Sequence, residues 1–121
     1  MIKSILILFF SLSLIGCSYT SKKYNEKHYQ TVLCDELKGE MEFVLQDRTR
    51  VDCLTDKYAI EVDFAKKWAE GIGQSLYYAH MTEKDPAIGL IVGKNDNRFL
   101  ERLQKVSTKL NIKIFLIKKE E

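Results

Sequence analysis

Two carboxylates are spaced so that a short antiparallel hairpin would bring them together. Asp52 lies near the end of one strand-like run and Glu61 within the next, with a turn at residues 55–57 between them. Facing residues of such a pair have Cβ atoms roughly 4.5–5.5 Å apart. Asp63 shares their face because side chains alternate along a strand. Carboxylates this close repel each other unless one is protonated or a cation lies between them, and oxygen ligands suit Mg²⁺ or Mn²⁺.

The other face of these two strands is predicted to be apolar core. It would carry Val51, Cys53, Ile60 and Val62, which alternate with the acids. A plainer alternative stays open at this point. The acids could form a solvated sheet face on which Arg50 supplies the counter-charge.

The segment after Asp63 predicts a helix with two different stripes. Its apolar residues recur at spacings of three and four, which indicates a core-facing side. Lys67, Gly71, Gln74 and Tyr78 follow at i, i+4, i+7 and i+11 and form a polar stripe beside it. Gly71 leaves room there for a close approach of another element.

The remaining pattern predicts which elements hold these residues. It indicates an α-β-β-β-α-β-α-β order, in which Asp85-Pro86 breaks the second helix and both later strands are buried. The expected helices cover residues 26–37, 65–81 and 95–110, and the expected strands cover residues 40–45, 50–54, 58–64, 87–92 and 112–117.

Three short stretches of the chain carry a family resemblance. Residues 50–55 (RVDCLT) followed by 59–63 (AIEVD) resemble the Asp…Glu-x-Lys core of the PD-(D/E)XK restriction-endonuclease-like superfamily. Gln74 and Tyr78 are similar to the Gln-x-x-x-Tyr motif of its RecB-type nuclease branch. The resemblance covers about residues 24–117. It implies an α/β, restriction-endonuclease-like core with a mixed central sheet flanked by helices.

The resemblance also implies roles for single residues. Asp52 and Glu61 would ligate Mg²⁺ or Mn²⁺, and the metal would activate water for hydrolysis of a nucleic-acid phosphodiester. Such enzymes often carry an acid on an early helix, which would be Glu26, with Glu36 and Glu40 as alternatives. The Gln74 and Tyr78 side chains would contact the phosphate backbone or the metal-bound shell.

One position departs from the family pattern. Asp63 stands two residues after Glu61, where the superfamily usually has a lysine that positions or activates the attacking water. Related branches move the basic residue onto the next helix, so Lys67 is the first candidate and Lys66 the second. Without a lysine at the site, the fold would bind metal or nucleic acid but would not cut.

The N-terminus predicts export and lipidation. An apolar run at residues 5–15 follows Lys3 and ends in Gly16-Cys17, which resembles the lipobox of bacterial lipoproteins. Residues 1–16 would be the signal peptide, residues 17–25 the lipidated cysteine and a tether, and residues 26–121 the domain. The protein would be anchored in the cell envelope by lipid on Cys17. Removing Lys3 lowers the formal charge from +2 to +1, which neither favours nor excludes nucleic-acid binding.

Three functional hypotheses follow from the sequence. The first is a membrane-anchored, metal-dependent phosphodiesterase acting on DNA or RNA. The second is a catalytically inactive nuclease-like lipoprotein that binds nucleic acid or a protein partner, and the third is a structural envelope lipoprotein. A homodimer is compatible with the first, since many such nucleases pair to cut two strands.

Cys34 and Cys53 could form a disulfide in an oxidising compartment or remain buried thiols.

Overall fold

The computed structural model of this protein describes residues 23–120. The elements are α1 (Glu26–Glu36), β1 (Glu40–Val44), β2 (Arg50–Leu54), β3 (Tyr58–Phe64), a 3-10 turn (Ala65–Lys67), α2 (Trp68–Thr82), β4 (Asp85–Val92), α3 (Asn97–Leu110) and β5 (Lys113–Lys118). The described chain is therefore an α/β protein with the predicted order of elements, a five-stranded mixed sheet and three α-helices. No helix within this range is both long and apolar enough to cross a membrane. The predicted signal peptide and Cys17 lie outside the described residues.

The five strands lie side by side in sequence order. β1, β2 and β3 pair antiparallel, whereas β3, β4 and β5 pair parallel. The connections explain this difference. Short turns join β1 to β2 and β2 to β3, and each turn reverses the chain. α2 and α3 instead carry the chain back to the edge where the previous strand began, so the next strand runs in the same direction. The carboxyl ends of β3, β4 and β5 consequently lie together at one edge of the sheet, and their amino ends lie together at the opposite edge.

Helices cover the sheet on both faces. α1 packs through Tyr29 and Leu33 against Val62 of β3 in one buried cluster. α3 packs through Leu103 against Leu90 of β4 in another. β4 lies between these layers and is buried on both faces, as its unbroken apolar run predicts.

The predicted apolar face of the β2–β3 pair is only partly right. Cys53 lies in the α1-side cluster, but Val51, two residues earlier, packs against Tyr78 in a separate cluster. The change of side falls opposite Glu42, which has a left-handed backbone with φ 55°. Such a conformation is uncommon for a residue with a Cβ and interrupts the regular alternation of a strand.

Two further predictions were wrong, namely the residues that end the second helix and the burial of the last strand. α2 ends at Thr82 because Glu83 adopts the left-handed conformation and its N–H bonds the carbonyl of Ala79. Asp85-Pro86, predicted as the helix breaker, begins β4 instead. The last strand, predicted as buried, is an edge strand in which every residue is partly buried or exposed, and Leu116 is 62% exposed.

The two cysteines that the sequence left open form a disulfide. Cys34 of α1 and Cys53 of β2 are bonded across a Cα–Cα distance of 5.6 Å. Gly39 lies against both sulfur atoms, and a Cβ at that position would lie 3.0 Å from the Cys34 sulfur. The absence of a side chain at Gly39 therefore allows the chain to turn tightly around the disulfide, which holds α1 against β2.

Candidate active site

β2 and β3 bring Asp52 and Glu61 next to each other. Their ladder pairs Leu54 with Ala59 and Cys53 with Ile60, so it ends at the residues adjacent in sequence to Asp52 and Glu61. Just beyond, Asp52 Oδ2 accepts the N–H of Val62 at 2.8 Å. This hydrogen bond directs the Asp52 carboxylate toward β3, close enough for its charge to raise the pKa of Glu61. The two acids are therefore near each other, although the strand pairing ends one step before the direct Asp52–Glu61 pair that the spacing predicts.

Glu61 and Asp63 are buried, with exposed fractions of 6% and 3%. One oxygen of each, Glu61 Oε2 and Asp63 Oδ2, has no hydrogen-bond partner among the described residues. Burying a polar group without a partner costs free energy, so protein interiors rarely contain one. The solvated-face alternative is therefore wrong for these two acids. Each has an oxygen placed to hold a proton or to ligate a cation.

The ionised forms of the acids are disfavoured. Burial is the largest cause for each, raising the pKa of Glu61 to about 9, that of Asp63 to about 7 and that of Asp52 to about 6. Repulsion among neighbouring carboxylates adds to this, with Asp52 acting on Glu61 and Glu26 acting on all three. The site therefore holds protons at neutral pH unless a cation replaces them.

Glu26 and Lys67 complete the group. Lys67 Nζ lies 3.8 Å from Glu26 Oε2 and 3.8 Å from Asp63 Oδ1. Lys67 belongs to the 3-10 turn rather than to α2 itself. Among the three candidate helix acids, Glu26 is the one beside this lysine, whereas Glu36 ends α1 and Glu40 begins β1. Glu26 first, then Asp63, raises the pKa of Lys67, so its ammonium stays charged and is suited to hold an anion.

α2 passes close to these acids. A Cβ at Gly71 would lie 3.1 Å from Asp63 Oδ2, so the glycine permits this approach, as the sequence predicts. Tyr78 is 6% exposed; burial raises its pKa, and the Glu61 carboxylate raises it further. Gln74 is half-buried one helical turn before Tyr78 and lowers the pKa of the Tyr78 hydroxyl. Tyr78 therefore lies within electrostatic range of the acids while also packing in the core.

Sequence reasoning missed a second layer of polar residues. Gln30 is 4% exposed, and its Nε2 donates to the carbonyl of Asp52 and to Glu42 Oε1, each at 2.9 Å. Lys27 Nζ also donates to Glu42 Oε1, at 2.6 Å. These bonds connect α1 to the hairpin at Asp52. A signal for Gln30 was present, because it follows Glu26 by one helical turn and lies on the same face.

The donor set fits a hard divalent cation. Glu26, Asp52, Glu61 and Asp63, called the acid cluster from here on, offer only carboxylate oxygens, which Mg²⁺ and Mn²⁺ prefer. Between residues 23 and 120, no three acidic, histidine or cysteine side chains stand as a ready-made metal cage. Mg²⁺ does not require one, because it keeps several waters and binds through one or two carboxylates. The partnerless oxygens of Glu61 and Asp63 support this fit.

No family model matches the chain. A protein of Acanthamoeba polyphaga mimivirus, whose name refers to a KilA-N domain, is 31% identical over 62 residues. The match covers 49% of this chain and 17% of that protein, so the chain spans a small part of its relative's length. No solved structure matches.

Proposed function

We propose that this protein is a metal-dependent phosphodiesterase of the PD-(D/E)XK type that acts on DNA or RNA. The observation that carries the proposal is the pair of buried, partnerless oxygens on Glu61 and Asp63. They lie on one strand, next to Asp52 of the neighbouring strand and to the Lys67–Glu26 pair. Two buried acids that each leave one oxygen without a hydrogen bond among the described residues destabilise a small domain, which argues that they are there for chemistry and not for folding.

Each group has a role consistent with its surroundings. Asp52 and Glu61 would hold Mg²⁺ or Mn²⁺, which when bound polarises the scissile phosphate and makes water more acidic. The Lys67 ammonium would orient the attacking water and the phosphate. The water oxygen bonds to phosphorus, its proton passes to Asp63 Oδ2, and the leaving oxygen departs with a proton taken from solvent. Gln74 and Tyr78, on the neighbouring face of α2, would contact the phosphate backbone.

The proposed location is the cell envelope. A signal peptide at residues 1–16 and lipid on Cys17 would place the domain outside the cytoplasm. The Cys34–Cys53 disulfide supports this, because such bonds form and persist mainly in oxidising compartments. Membrane attachment through Cys17 would leave the folded domain free to bind its substrate.

Cleavage by the purified protein tests the proposal. Plasmid, linear and single-stranded DNA and RNA would be incubated with Mg²⁺, Mn²⁺ or EDTA. We expect metal-dependent cleavage that falls by roughly a hundredfold or more in Glu61→Gln and Glu26→Gln. Glu40→Gln is the matched control. Glu40 pairs with Leu54, which pairs with Ala59 at the start of β3, whereas Lys67 follows the end of β3. Equal loss in all three variants, or cleavage that persists in EDTA, would contradict the assignment.

One observation favours a second candidate function. Asp63 stands where the superfamily usually has lysine, which is the pattern expected of an inactive member that binds nucleic acid or a protein partner. Metal binding separates the candidates, because a ligand that binds only the folded state raises the unfolding midpoint. A midpoint raised by Mg²⁺ in the wild type but not in Glu61→Gln, without cleavage of any substrate, would favour the inactive form.

A further inference from the structure

Asp52 lies at a break in the strand ladders of the sheet. The β1–β2 pairing joins both of its sequence neighbours, Val51 and Cys53, to β1, but among the described residues it gives Asp52 itself no partner. The β2–β3 pairing ends at Cys53, one residue short of Asp52. Regular ladder pairing therefore does not reach Asp52 from either neighbouring strand, although Asp52 carries one of the carboxylates proposed to hold a metal.

Two hydrogen bonds that involve side chains hold Asp52 instead. Its own Oδ2 accepts the N–H of Val62 at 2.8 Å, which directs the carboxylate toward β3. Its backbone carbonyl accepts Nε2 of Gln30 at 2.9 Å, which fixes the backbone from the side of α1. Because the backbone sets where a side chain starts, the bond from Gln30 also bears on where the carboxylate points.

The Gln30 side chain matches its surroundings chemically. A side-chain amide nitrogen carries two hydrogens, and Gln30 Nε2 donates to the carbonyl of Asp52 and to Glu42 Oε1, each at 2.9 Å. Both partners are acceptors, so an ionised glutamate of the same shape would have no hydrogen to give them. Gln30 is 4% exposed, which leaves water little access to replace either bond.

The second partner of Gln30 is itself held in place. Glu42 Oε1 also accepts Lys27 Nζ at 2.6 Å, and Arg50 lies 3.8 Å from the other carboxylate oxygen of Glu42. Hydrogen bonds that involve ionised groups are stronger than those between neutral ones. Glu42 is therefore a firm anchor for one hydrogen of the Gln30 amide, while the other hydrogen holds Asp52.

The helix that carries Gln30 is fixed on both sides of it. Cys34, one turn later, is bonded to Cys53, the residue after Asp52. Glu26, one turn earlier, lies beside Lys67 at the acid cluster. Residues four apart share one face of a helix, so a single stripe of α1 runs from the acid cluster to the disulfide. Gln30 lies in the middle of this stripe, at the break in the ladders.

We propose that Gln30 is a positioning residue of the acid cluster, which holds the backbone of Asp52 so that its carboxylate can ligate a divalent cation together with Glu61. The inference rests on the proposed function and assigns a residue that acts through Asp52 without touching metal or substrate. Removal of a group that orients a metal ligand typically lowers metal affinity by about 10–100-fold. A purely structural Gln30 would affect stability and leave the direction of the Asp52 carboxylate unchanged.

Two isosteric variants test the inference. Gln30→Met keeps the length of the side chain and removes both donors. Tyr29→Phe is the matched control, because Tyr29 is the neighbouring residue of α1 and is 2% exposed. Its hydroxyl accepts the N–H of Glu120 at 3.0 Å, so the control also removes a hydrogen bond between α1 and another part of the chain, away from Asp52.

Two measurements on the purified protein report on Asp52. The first is amide hydrogen exchange by NMR in EDTA. In Gln30→Met we expect the Val62 amide, which Asp52 Oδ2 holds, to exchange roughly two- to tenfold faster, as loss of one hydrogen bond implies. The Ile60 amide, in the regular part of the ladder, should be unchanged. The second is Mn²⁺ affinity by calorimetry, which should fall by roughly tenfold or more. Tyr29→Phe should match the wild type in both.

The outcomes decide between positioning and structure. Equal changes in the two variants would mean that Gln30 only helps to dock α1, and the inference would be wrong. Unchanged exchange at Val62, or unchanged Mn²⁺ affinity, in Gln30→Met would also overturn it. If Gln30→Met does not fold, Glu42→Gln takes its place, because it weakens the anchor of Gln30 from a partly exposed position. It should speed exchange at Val62 in the same direction, and unchanged exchange there would overturn the inference.

Cleavage separates this inference from the proposed function. If Mn²⁺ binding depends on Gln30 but the wild type cleaves no substrate, the phosphodiesterase proposal fails and the role of Gln30 stands. If the wild type cleaves and Gln30→Met keeps its Mn²⁺ affinity, the role of Gln30 fails and the phosphodiesterase proposal stands. A wild type that binds no Mn²⁺ would overturn both.

Discussion

The two faces of β3 differ in almost every physical respect. On the α1 side, Ile60 and Val62 are fully buried among apolar residues and next to the disulfide. On the α2 side, Glu61 and Asp63 are buried almost as deeply, yet each has an oxygen without a hydrogen-bond partner among the described residues. Successive residues of one strand therefore alternate between a stabilising face and a destabilising one.

This contrast indicates how a small domain can support a destabilising site. Apolar burial stabilises by about 25 cal/mol per Å², so one face of β3 contributes to folding in the ordinary way. Buried acids have the opposite effect unless they hold protons or a cation. The Cys34–Cys53 disulfide and Gln30 brace the hairpin where Asp52 joins the site. The α1 side of β3 therefore stabilises the fold, and the α2 side carries the acids proposed for catalysis.

The largest effect should come from the apolar face. Ile60→Ala removes a fully buried side chain and leaves a cavity, so we expect the free energy of unfolding to fall by about 2–5 kcal/mol. Urea denaturation monitored by circular dichroism measures this change. Val44→Ala is the control, because Val44 is 59% exposed and its loss should cost less than about 0.5 kcal/mol. If the two substitutions lowered the free energy of unfolding equally, burial on the α1 side of β3 would not be the source of stability.

Opening the disulfide should have the next largest effect. The bond joins residues separated by 19 positions, and closing a loop of this length restricts the unfolded chain by about 3 kcal/mol. The double variant Cys34→Ser, Cys53→Ser should lose about that much stability in urea denaturation. Dithiothreitol should lower the wild-type midpoint similarly and leave the double variant unchanged. A wild-type midpoint insensitive to reductant would mean that the bond contributes little to folding.

A substitution on the acidic face should raise the free energy of unfolding instead of lowering it, and by a smaller amount. Glu61→Gln removes an ionisable group whose pKa is raised from 4.5 to about 9 in the folded protein. The folded state therefore keeps a proton that the unfolded state releases above pH 4.5, and stability falls as pH rises toward about 9. In EDTA at alkaline pH we expect the variant to be more stable than the wild type by about 1–3 kcal/mol, at about 1.4 kcal/mol per pKa unit.

Urea denaturation between about pH 5 and about pH 9 checks this sign. The advantage of Glu61→Gln should be small at the acidic end, where Glu61 is protonated in the folded protein, and should grow as pH rises. Asp63 and Asp52, with pKa values raised to about 7 and about 6, make the wild-type decline begin below neutral pH. Mg²⁺ should restore alkaline stability to the wild type and not to the variant. A Glu61→Gln protein that is less stable at every pH would show that the carboxyl group is structural.

The sequence predicted that the β2–β3 hairpin brings Asp52 close to Glu61, because that proximity depends on local features. A short turn at residues 55–57 and the two-residue period of a strand are enough to set which side chains face each other. The sequence offered Glu26, Glu36 and Glu40 as the acid on the early helix. The structure separates them because Glu26, at the start of α1, lies beside Lys67, whereas Glu36 lies at the other end of that helix. Gln30 was missed because its partners, Glu42 and the carbonyl of Asp52, belong to other elements.

What the sequence by itself determined is the order of helices and strands, the apolar character of β4 and the hairpin that joins two acids. Each depends on periodicity and turn residues within a few positions of one another. Only the tertiary structure decided that Glu61 and Asp63 are buried, each with one oxygen that has no hydrogen bond among the described residues. It also decided that Cys34 meets Cys53 and that the carboxyl ends of β3, β4 and β5 share one edge. These features depend on distances between residues far apart in the chain, which are set when α1 and α2 pack on opposite faces of the sheet.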